Sequence, residues 1–283
     1  MHGKTVVISG ATSGIGEVAA IELARQGARI VFIARNRARA EQTLARLPPV
    51  SAGRPHAYHL ADLAELAEMK RVAAELAAAE PRVDVLLNNA GALFSSRRDT
   101  RDGLEMTFAV NHLAYFVITQ GLLARLEAAA AARIVSTASR AHVGARLDFE
   151  DLQMRHGYRS FRAYGRSKLM NILFTRELAR RLAAAGSQVT ANCLHPGFVA
   201  TRFGEADSGR LSAVLLGLAK RFALRPQQGA RTLIYLASSP EVEGVSGRYF
   251  YECRQVKPSA AAQSDADALR LWEISTQLAG VGS

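Results

Sequence analysis

Short apolar runs alternate with longer amphipathic stretches along most of the chain. The runs are Thr5–Ser9, Arg29–Ala34, 83–88, Arg133–Thr137 and 189–194, each rich in Val, Ile or Leu. They lack the strict apolar/polar alternation of a strand with one wet face, so each predicts a strand buried on both sides. Between them, 17–26, 37–47 and 63–79 place apolar residues three and four apart, which predicts helices. Strand and helix in alternation give an α/β chain with a doubly wound parallel sheet, helices on both faces and ligands at the carboxyl ends of the strands. No Pro- or Ser-rich linker and no internal repeat divides it. The expected organisation is one domain over 1–257, followed by a ragged tail over 258–283.

Composition narrows the class. Of 283 residues, 49% are apolar and 22% charged, which excludes a disordered chain. The net charge of +11 raises nucleic-acid binding, but the arginines are spread singly along helical stretches such as 177–182 and form no basic tract. Net charge of this kind speaks to solubility first, and no nucleic-acid partner is expected. Two cysteines cannot build a disulfide framework. The apolar stretches 113–118 and 213–219 fall well short of the roughly 18 residues of a spanning helix. No targeting segment is visible, so a cytoplasmic protein without a membrane span is expected. His142, His156 and His195 have no metal-ligand spacing, and no metal is expected.

The loop after the first strand reads Ser9-Gly10-Ala11-Thr12-Ser13-Gly14-Ile15-Gly16. Its glycines permit a sharp turn and close approach of a ligand. The helix beginning near Ile15 offers free N–H groups and its positive end to a pyrophosphate. The spacing G-x-x-x-G-x-G differs from the usual dinucleotide fingerprint. Its position between first strand and first helix nevertheless points to a dinucleotide.

The second strand ends at Ala34, where an NAD-specific site carries an acid about 20 residues beyond the loop. This chain has Arg35, followed by Arg37 and Arg39. A guanidinium suits a 2′-phosphate, and no carboxylate opposes it. NADP(H) is therefore preferred, with NAD(H) possible; the alternative is an ordinary solvated helix start.

Tyr164-Gly165-Arg166-Ser167-Lys168 opens a helix, and four residues place Tyr164 and Lys168 on one face. A lysine ammonium beside a phenol favours the phenolate and lowers its pKa, as a general acid/base requires. Ser139, just past the fourth core strand, can hold a substrate oxygen beside Tyr164.

With these residues in view, the sequence resembles the short-chain dehydrogenases/reductases, in their retinol dehydrogenase-like branch, from about Lys4 to about Tyr251. The resemblance is carried by 9–16, Asp62-Leu63, Asn88-Asn89-Ala90-Gly91, Asp102-Gly103-Leu104-Glu105, Val110-Asn111-His112-Leu113, 133–142, 164–168 and Leu194-His195-Pro196-Gly197. It implies a catalytic tetrad of Asn111, Ser139, Tyr164 and Lys168. Tyr164 would exchange the proton and Ser139 orient the substrate oxygen. Lys168 would hold the nicotinamide ribose, and Asn111 would anchor a water leading to Lys168. By the same resemblance the cofactor contacts are Gly10, Thr12, Ser13, Gly14, Ile15, Gly16, Arg35, Asp62, Leu63, Asn89, Ala90, Gly91, Tyr164, Lys168, Pro196, Gly197, Val199 and Thr201. Asp62 and Leu63 lie beside the adenine, Asn89 and Gly91 at the cleft wall, and Pro196 to Thr201 around the nicotinamide. The 88–91 stretch also reads as a turn stabilising the sheet. Ser9 replaces a frequent threonine, Ala138 a frequent serine, and Ser13 stands where many NADP-using members carry a base.

The implied reaction is hydride transfer between the nicotinamide and an alcohol, aldehyde or ketone. Segment 202–225, with apolar 211–218 followed by Lys220 and Arg221, reads as a lid over a lipophilic substrate. It reads equally as core or subunit packing, and less readily as a membrane-surface helix. Helices over 104–129 and 164–185 correspond to those that bundle between subunits in the family, so a homodimer or homotetramer is expected. A non-catalytic redox sensor or scaffold on the same fold is the alternative function.

Overall fold

The computed structural model describes residues 1–50, 53–197 and 225–280. Thr5–Ser9 (β1), Arg29–Ala34 (β2) and Arg133–Thr137 (β5) form strands at their expected bounds, while Val85–Asn88 (β4) and Thr190–Leu194 (β6) start slightly later than expected. Ala57–Leu60 (β3), Tyr249–Tyr251 (β7) and Arg254–Gln255 (β8) complete a sheet of order β3-β2-β1-β4-β5-β6-β7-β8. All neighbours are parallel except the β7–β8 pair. Among the described residues the α-helices are α1 (Gly14–Arg25), α2 (Arg37–Arg46), α3 (Leu66–Ala79), α4 (Met106–Phe108), α5 (Ala114–Glu127), α6 (Ser160–Ala184), α7 (Pro226–Ser238) and α8 (Asp265–Ala279).

Successive strand residues face opposite layers, as pleating requires. Val7, Leu86, Ile134 and Ala191 belong to one core with α3, α5, α6 and α8. Val6, Ile8, Leu87, Val135 and Leu194 belong to the other, with α1 and α7. That double burial explains the unbroken apolar runs. Strand order reverses between β1 and β4, which opens a crevice at their carboxyl ends.

Met106–Glu127 is long and apolar enough to cross a membrane, yet 72% of that window is buried inside the fold. Near its amino-terminal end, Ala109–Leu113 is a π-helical turn carrying Asn111. This is a core helix pressed on α3, with Gly121 of α5 seated against Ala73. The longest apolar element is thus longer than the sequence runs suggested, because polar Asn111 and His112 are buried within it.

The carboxyl-terminal segment corrects the expectation of a ragged tail. Asp265–Ala279 is a helix, capped by Ser264, whose hydroxyl accepts from the Asp267 N–H at 3.2 Å, and closed by left-handed Gly280. Ala268, Leu271 and Ala279 join the core. Trp272 stacks on Phe174 of α6 (centroids 6.0 Å, 14°) and meets Phe116 of α5 edge-on at 5.0 Å. The Arg181 guanidinium covers the Trp272 ring at 4.6 Å, and Arg176 donates to Asp265 at 2.7 Å. Apolar residues at three- and four-residue spacing gave this segment one buried face, and α5 and α6 supplied the surface to bury it.

Candidate active site

The glycine loop leaves β1 and enters α1 under tight steric control. Gly10 has φ +74°, and a Cβ there would stand 2.8 Å from the Ala90 Cα. A Cβ on Gly16 would run into the Gly10 carbonyl and the Asn89 amide. Only glycine fits at either position. Ser13 occupies the N-cap but makes no side-chain cap bond, so the first-turn N–H groups of α1 remain available to an anion. Gly14 shares the turn with φ +59°, Thr12 is half-buried, and Ile15 is buried beneath the loop.

Polar side chains lock this loop to its neighbours. The Ser9 hydroxyl accepts the N–H groups of Asn89 (3.0 Å) and Ala90 (3.1 Å). Asn89 Nδ2 donates back to the carbonyls of Ser9 (3.2 Å) and Gly10 (3.1 Å), and Thr137 Oγ1 donates to Asn89 Oδ1 at 3.4 Å. Asn89 therefore fastens together the ends of β1, β4 and β5. Its sheet-stabilising reading holds alongside its place at the cleft.

Arg35 emerges exposed beyond β2 and has no ion pair or side-chain hydrogen bond among the described residues. Arg37, by contrast, donates to the Tyr58 hydroxyl at 3.3 Å and lies 4.0 Å from Glu41. Asp62 is exposed after β3, its carboxylate accepting the Ala64 N–H at 3.0 Å, with Leu63 buried behind it.

The second half of the site gathers on α6. That helix begins at Ser160, a turn before its expected start, so Tyr164 and Lys168 lie inside rather than at its mouth. Lys168 Nζ sits 5.6 Å from the Tyr164 ring centroid and donates to the Thr137 carbonyl at 3.0 Å. Ser139, two residues past Thr137, hydrogen-bonds Tyr164. Asn111 is fully buried, its Oδ1 accepting the Ala92 N–H at 2.8 Å. Its Nδ2 donates to the Ala92 carbonyl (2.9 Å) and to Ser167 Oγ (3.1 Å). Gly91 is the neighbour of both groups: a Cβ on it would lie 3.3 Å from Asn111 Oδ1 and 3.4 Å from Lys168 Nζ. Ser139, Tyr164, Lys168 and Asn111 therefore belong to one connected constellation.

The electrostatics depart from the expectation of a lowered phenol pKa. Burial pushes Tyr164 up to about 12, with the Ser139 hydrogen bond as the opposing influence. Burial also pushes Lys168 down to about 7, so near neutral pH much of it is uncharged. Desolvation of both groups outweighs the ammonium's pull on the phenol. At neutral pH Tyr164 is a protonated acid.

Pro196 and Gly197 follow β6 at the same end of the sheet. Gly197, at φ +82°, donates its N–H to His195 Nδ1 at 3.3 Å, and the His195 ring stacks on Tyr251 at 4.1 Å. Val199, Thr201 and the expected lid, apart from Arg225 at its end, lie outside the described residues. Two participants were not anticipated. Ser167 links Asn111 to the Tyr164 carbonyl, and Asn171 Nδ2 donates to the Thr137 carbonyl beside Lys168. Their signal was the helical spacing 164, 167, 168 and 171, which stacks them on one face.

A dinucleotide suits these residues: two glycines bar a side chain from the loop, helix N–H groups are available, and a buried lysine stands across the crevice. A model of the short chain dehydrogenase family matches residues 4–210. The chain is 44% identical to retinol dehydrogenase 14 of Mus musculus, over 99% of this chain and 87% of that protein. It is 41% identical to dehydrogenase/reductase SDR family member 13 of Homo sapiens, over 100% and 74%. A crystal structure of a protein from Mycobacterium Paratuberculosis superposes with a TM-score of 0.79 at 32% identity, covering 99% of this chain and 94% of that one. A short chain dehydrogenase from Burkholderia cenocepacia in complex with NADP gives a TM-score of 0.68 at 26% identity, over 88% and 96%. With a doubly wound sheet, a glycine loop and a Ser–Tyr–Lys cluster in these positions, the chain belongs to the short-chain dehydrogenases, as an oxidoreductase enzyme of their retinol dehydrogenase-like branch.

Proposed function

We propose that the chain is an NADP-dependent oxidoreductase that interconverts a lipophilic alcohol and its aldehyde or ketone, with Tyr164 as general acid/base. The observation that carries this reading is the meeting of Ser139, Tyr164 and Lys168 beside the glycine loop. The loop N–H groups at Ser13–Gly16 hold the pyrophosphate, Arg35 the 2′-phosphate, and Asp62 and Leu63 border the adenine. Lys168 would hold the nicotinamide ribose, with Pro196 and Gly197 beside the ring. When bound, the dinucleotide supplies or accepts the hydride. Ser139 orients the substrate oxygen and Tyr164 Oη donates the proton to it in reduction, or takes it in oxidation. The phenol carries at neutral pH the proton that the first role needs, and the Ser139 hydrogen bond acts against its burial-raised pKa.

Lipophilic character is supported by exposed Phe161, one turn before Tyr164 with ring centroids 6.3 Å apart, and exposed Val143, four residues past Ser139. The names of the relatives, retinol dehydrogenases, point to a long apolar alcohol or aldehyde of that kind. The test is nicotinamide absorbance during turnover of retinal, medium-chain aldehydes, ketones and quinones, with NADPH and NADH in parallel. NADPH-dependent reduction favouring the apolar aldehydes is expected; inertness to all of them, or preference for small polar carbonyls, contradicts the proposal.

The expectation of a homodimer or homotetramer rests on the helices over 104–129 and 164–185, which correspond to those that bundle between subunits in the family. Trp272 seals the groove between Phe116 and Phe174 within the same chain. A homodimer or homotetramer remains part of this proposal, and light scattering at micromolar concentration tests it: a stable monomer contradicts it.

A further inference from the structure

His142 is buried at the end of the single turn Arg140–His142 that follows Ser139. Its Nδ1 lies 2.7 Å from the Ser139 carbonyl oxygen, and its Nε2 lies 3.1 Å from the backbone nitrogen of Ser259. A carbonyl only accepts and an N–H only donates. Both contacts are satisfied by one form of the ring: neutral, with its proton on Nδ1. Burial favours that neutral form. Tyr249 meets the ring edge-on at 5.2 Å and fixes its plane.

The far end of this link is itself anchored. The Ser259 carbonyl accepts the Ala262 N–H at 3.0 Å and Gln263 Nε2 at 3.3 Å, forming the turn that leads into α8. That turn and α8 pack on α6, the helix that carries Tyr164 and Lys168. A second histidine also reaches this segment, through one ring nitrogen. His112, next to Asn111, lies 3.0 Å from Ser275 Oγ through Nε2. Ser275 spends its own proton on the Leu271 carbonyl at 2.8 Å, so His112 is the donor. The carboxyl-terminal segment thus reaches the backbone on which two of the four site residues stand.

We propose that His142 is a positioning residue: it ties the backbone of Ser139 to the carboxyl-terminal turn, and so fixes the serine hydroxyl relative to Tyr164. This rests on the roles assigned above to Ser139 and Tyr164. The Ser139 hydroxyl also accepts the Ala141 N–H at 3.2 Å, so a shift of the 140–142 turn moves the hydroxyl with it. Misplacement of an orienting group by about 1 Å costs on the order of a hundredfold in rate.

The experiment compares His142→Ala, His142→Asn and Tyr164→Phe in the full-length protein, measuring kcat, KM for the aldehyde, NADPH affinity by fluorescence and Tm. His142→Ala is expected to lower kcat by roughly 10–100-fold with NADPH affinity unchanged. His142→Asn, whose amide can still donate to the Ser139 carbonyl but is too short to reach the Ser259 N–H, is expected to recover only part of the loss. Parent-like kcat in His142→Ala, or in His142→Asn, overturns the proposal. If His142→Ala does not fold, His142→Phe keeps the ring against Tyr249 without its polar atoms and is judged by the same outcomes. Tyr164→Phe separates the two claims: full turnover there overturns the reading of the site. Its loss alongside a fully active His142→Ala overturns the positioning role alone.

Discussion

The two halves of the crevice are built on opposite principles. At the ends of β1 and β4, the working surface is backbone: glycines that exclude side chains, helix N–H groups left uncapped, and Ser9 and Asn89 holding the turn. At the ends of β5 and α6, the working surface is side chains taken out of water. Asn111 and Lys168 are almost wholly buried, and the Tyr164 and Lys168 pKa values are displaced in opposite directions. The first half achieves precision by shape and places little ionisable chemistry at risk. The second carries desolvated polar groups at a cost in stability, which is the cost expected of the proton transfer proposed for it.

Substitutions in the two halves are expected to fail differently. Lys168→Met should lower turnover by roughly 10²–10⁴-fold and weaken NADPH binding as well, since one amino group serves both; stopped-flow turnover and a binding titration separate the effects. Gly16→Ala should weaken NADPH binding by about five- to 150-fold, equivalent to about 1–3 kcal/mol of overpacking, because its Cβ meets backbone rather than a movable side chain. Saturating cofactor should restore most of its kcat. Arg35→Asp should shift the NADPH/NADH ratio of kcat/KM by about ten- to a hundredfold towards NADH, one charge-assisted contact at an exposed position being worth roughly 1.5–3 kcal/mol. An unmoved ratio makes Arg35 a solvated helix start.

The smallest effect concerns stability and pH. Folding lowers the Lys168 pKa from 10.5 to about 7. Between those values the unfolded chain binds the proton and the folded chain does not, so stability falls as pH drops from 10.5 towards 7 and the full cost is present below 7. Lys168→Met removes that cost. Its Tm should exceed the parent's by at least roughly 3 °C at pH 6.5, with the gain vanishing near pH 10.5. A gain independent of pH contradicts buried-charge strain as its source.

The same division governs what the chain discloses before it folds. The glycine loop, Arg35 and the Tyr164/Lys168 pair are local patterns, legible as spacing beside a strand or along a helix. β3 and β7 were not legible: Ala57–Leu60 is half-buried and mixed in character, and Tyr249–Tyr251 is three residues long. The α8 helix left a readable signature in Ser264, Asp265, Asp267 and Gly280, the cap and acidic first turn of a helix with a glycine stop. The displaced pKa of Tyr164 was not readable, because spacing reports the nearby lysine and says nothing of how deeply both are buried. His142 is a further case, since its partner Ser259 lies 117 residues along the chain.

The central claim is that Tyr164 moves the proton while the glycine loop does the binding. Tyr164→Phe tests it most directly, with NADPH titrated by fluorescence and turnover measured on the best aldehyde in the same preparation. The account predicts NADPH affinity within about twofold of the parent and turnover reduced by roughly 10²–10⁴-fold. Retained turnover, or cofactor binding lost together with it, contradicts the account.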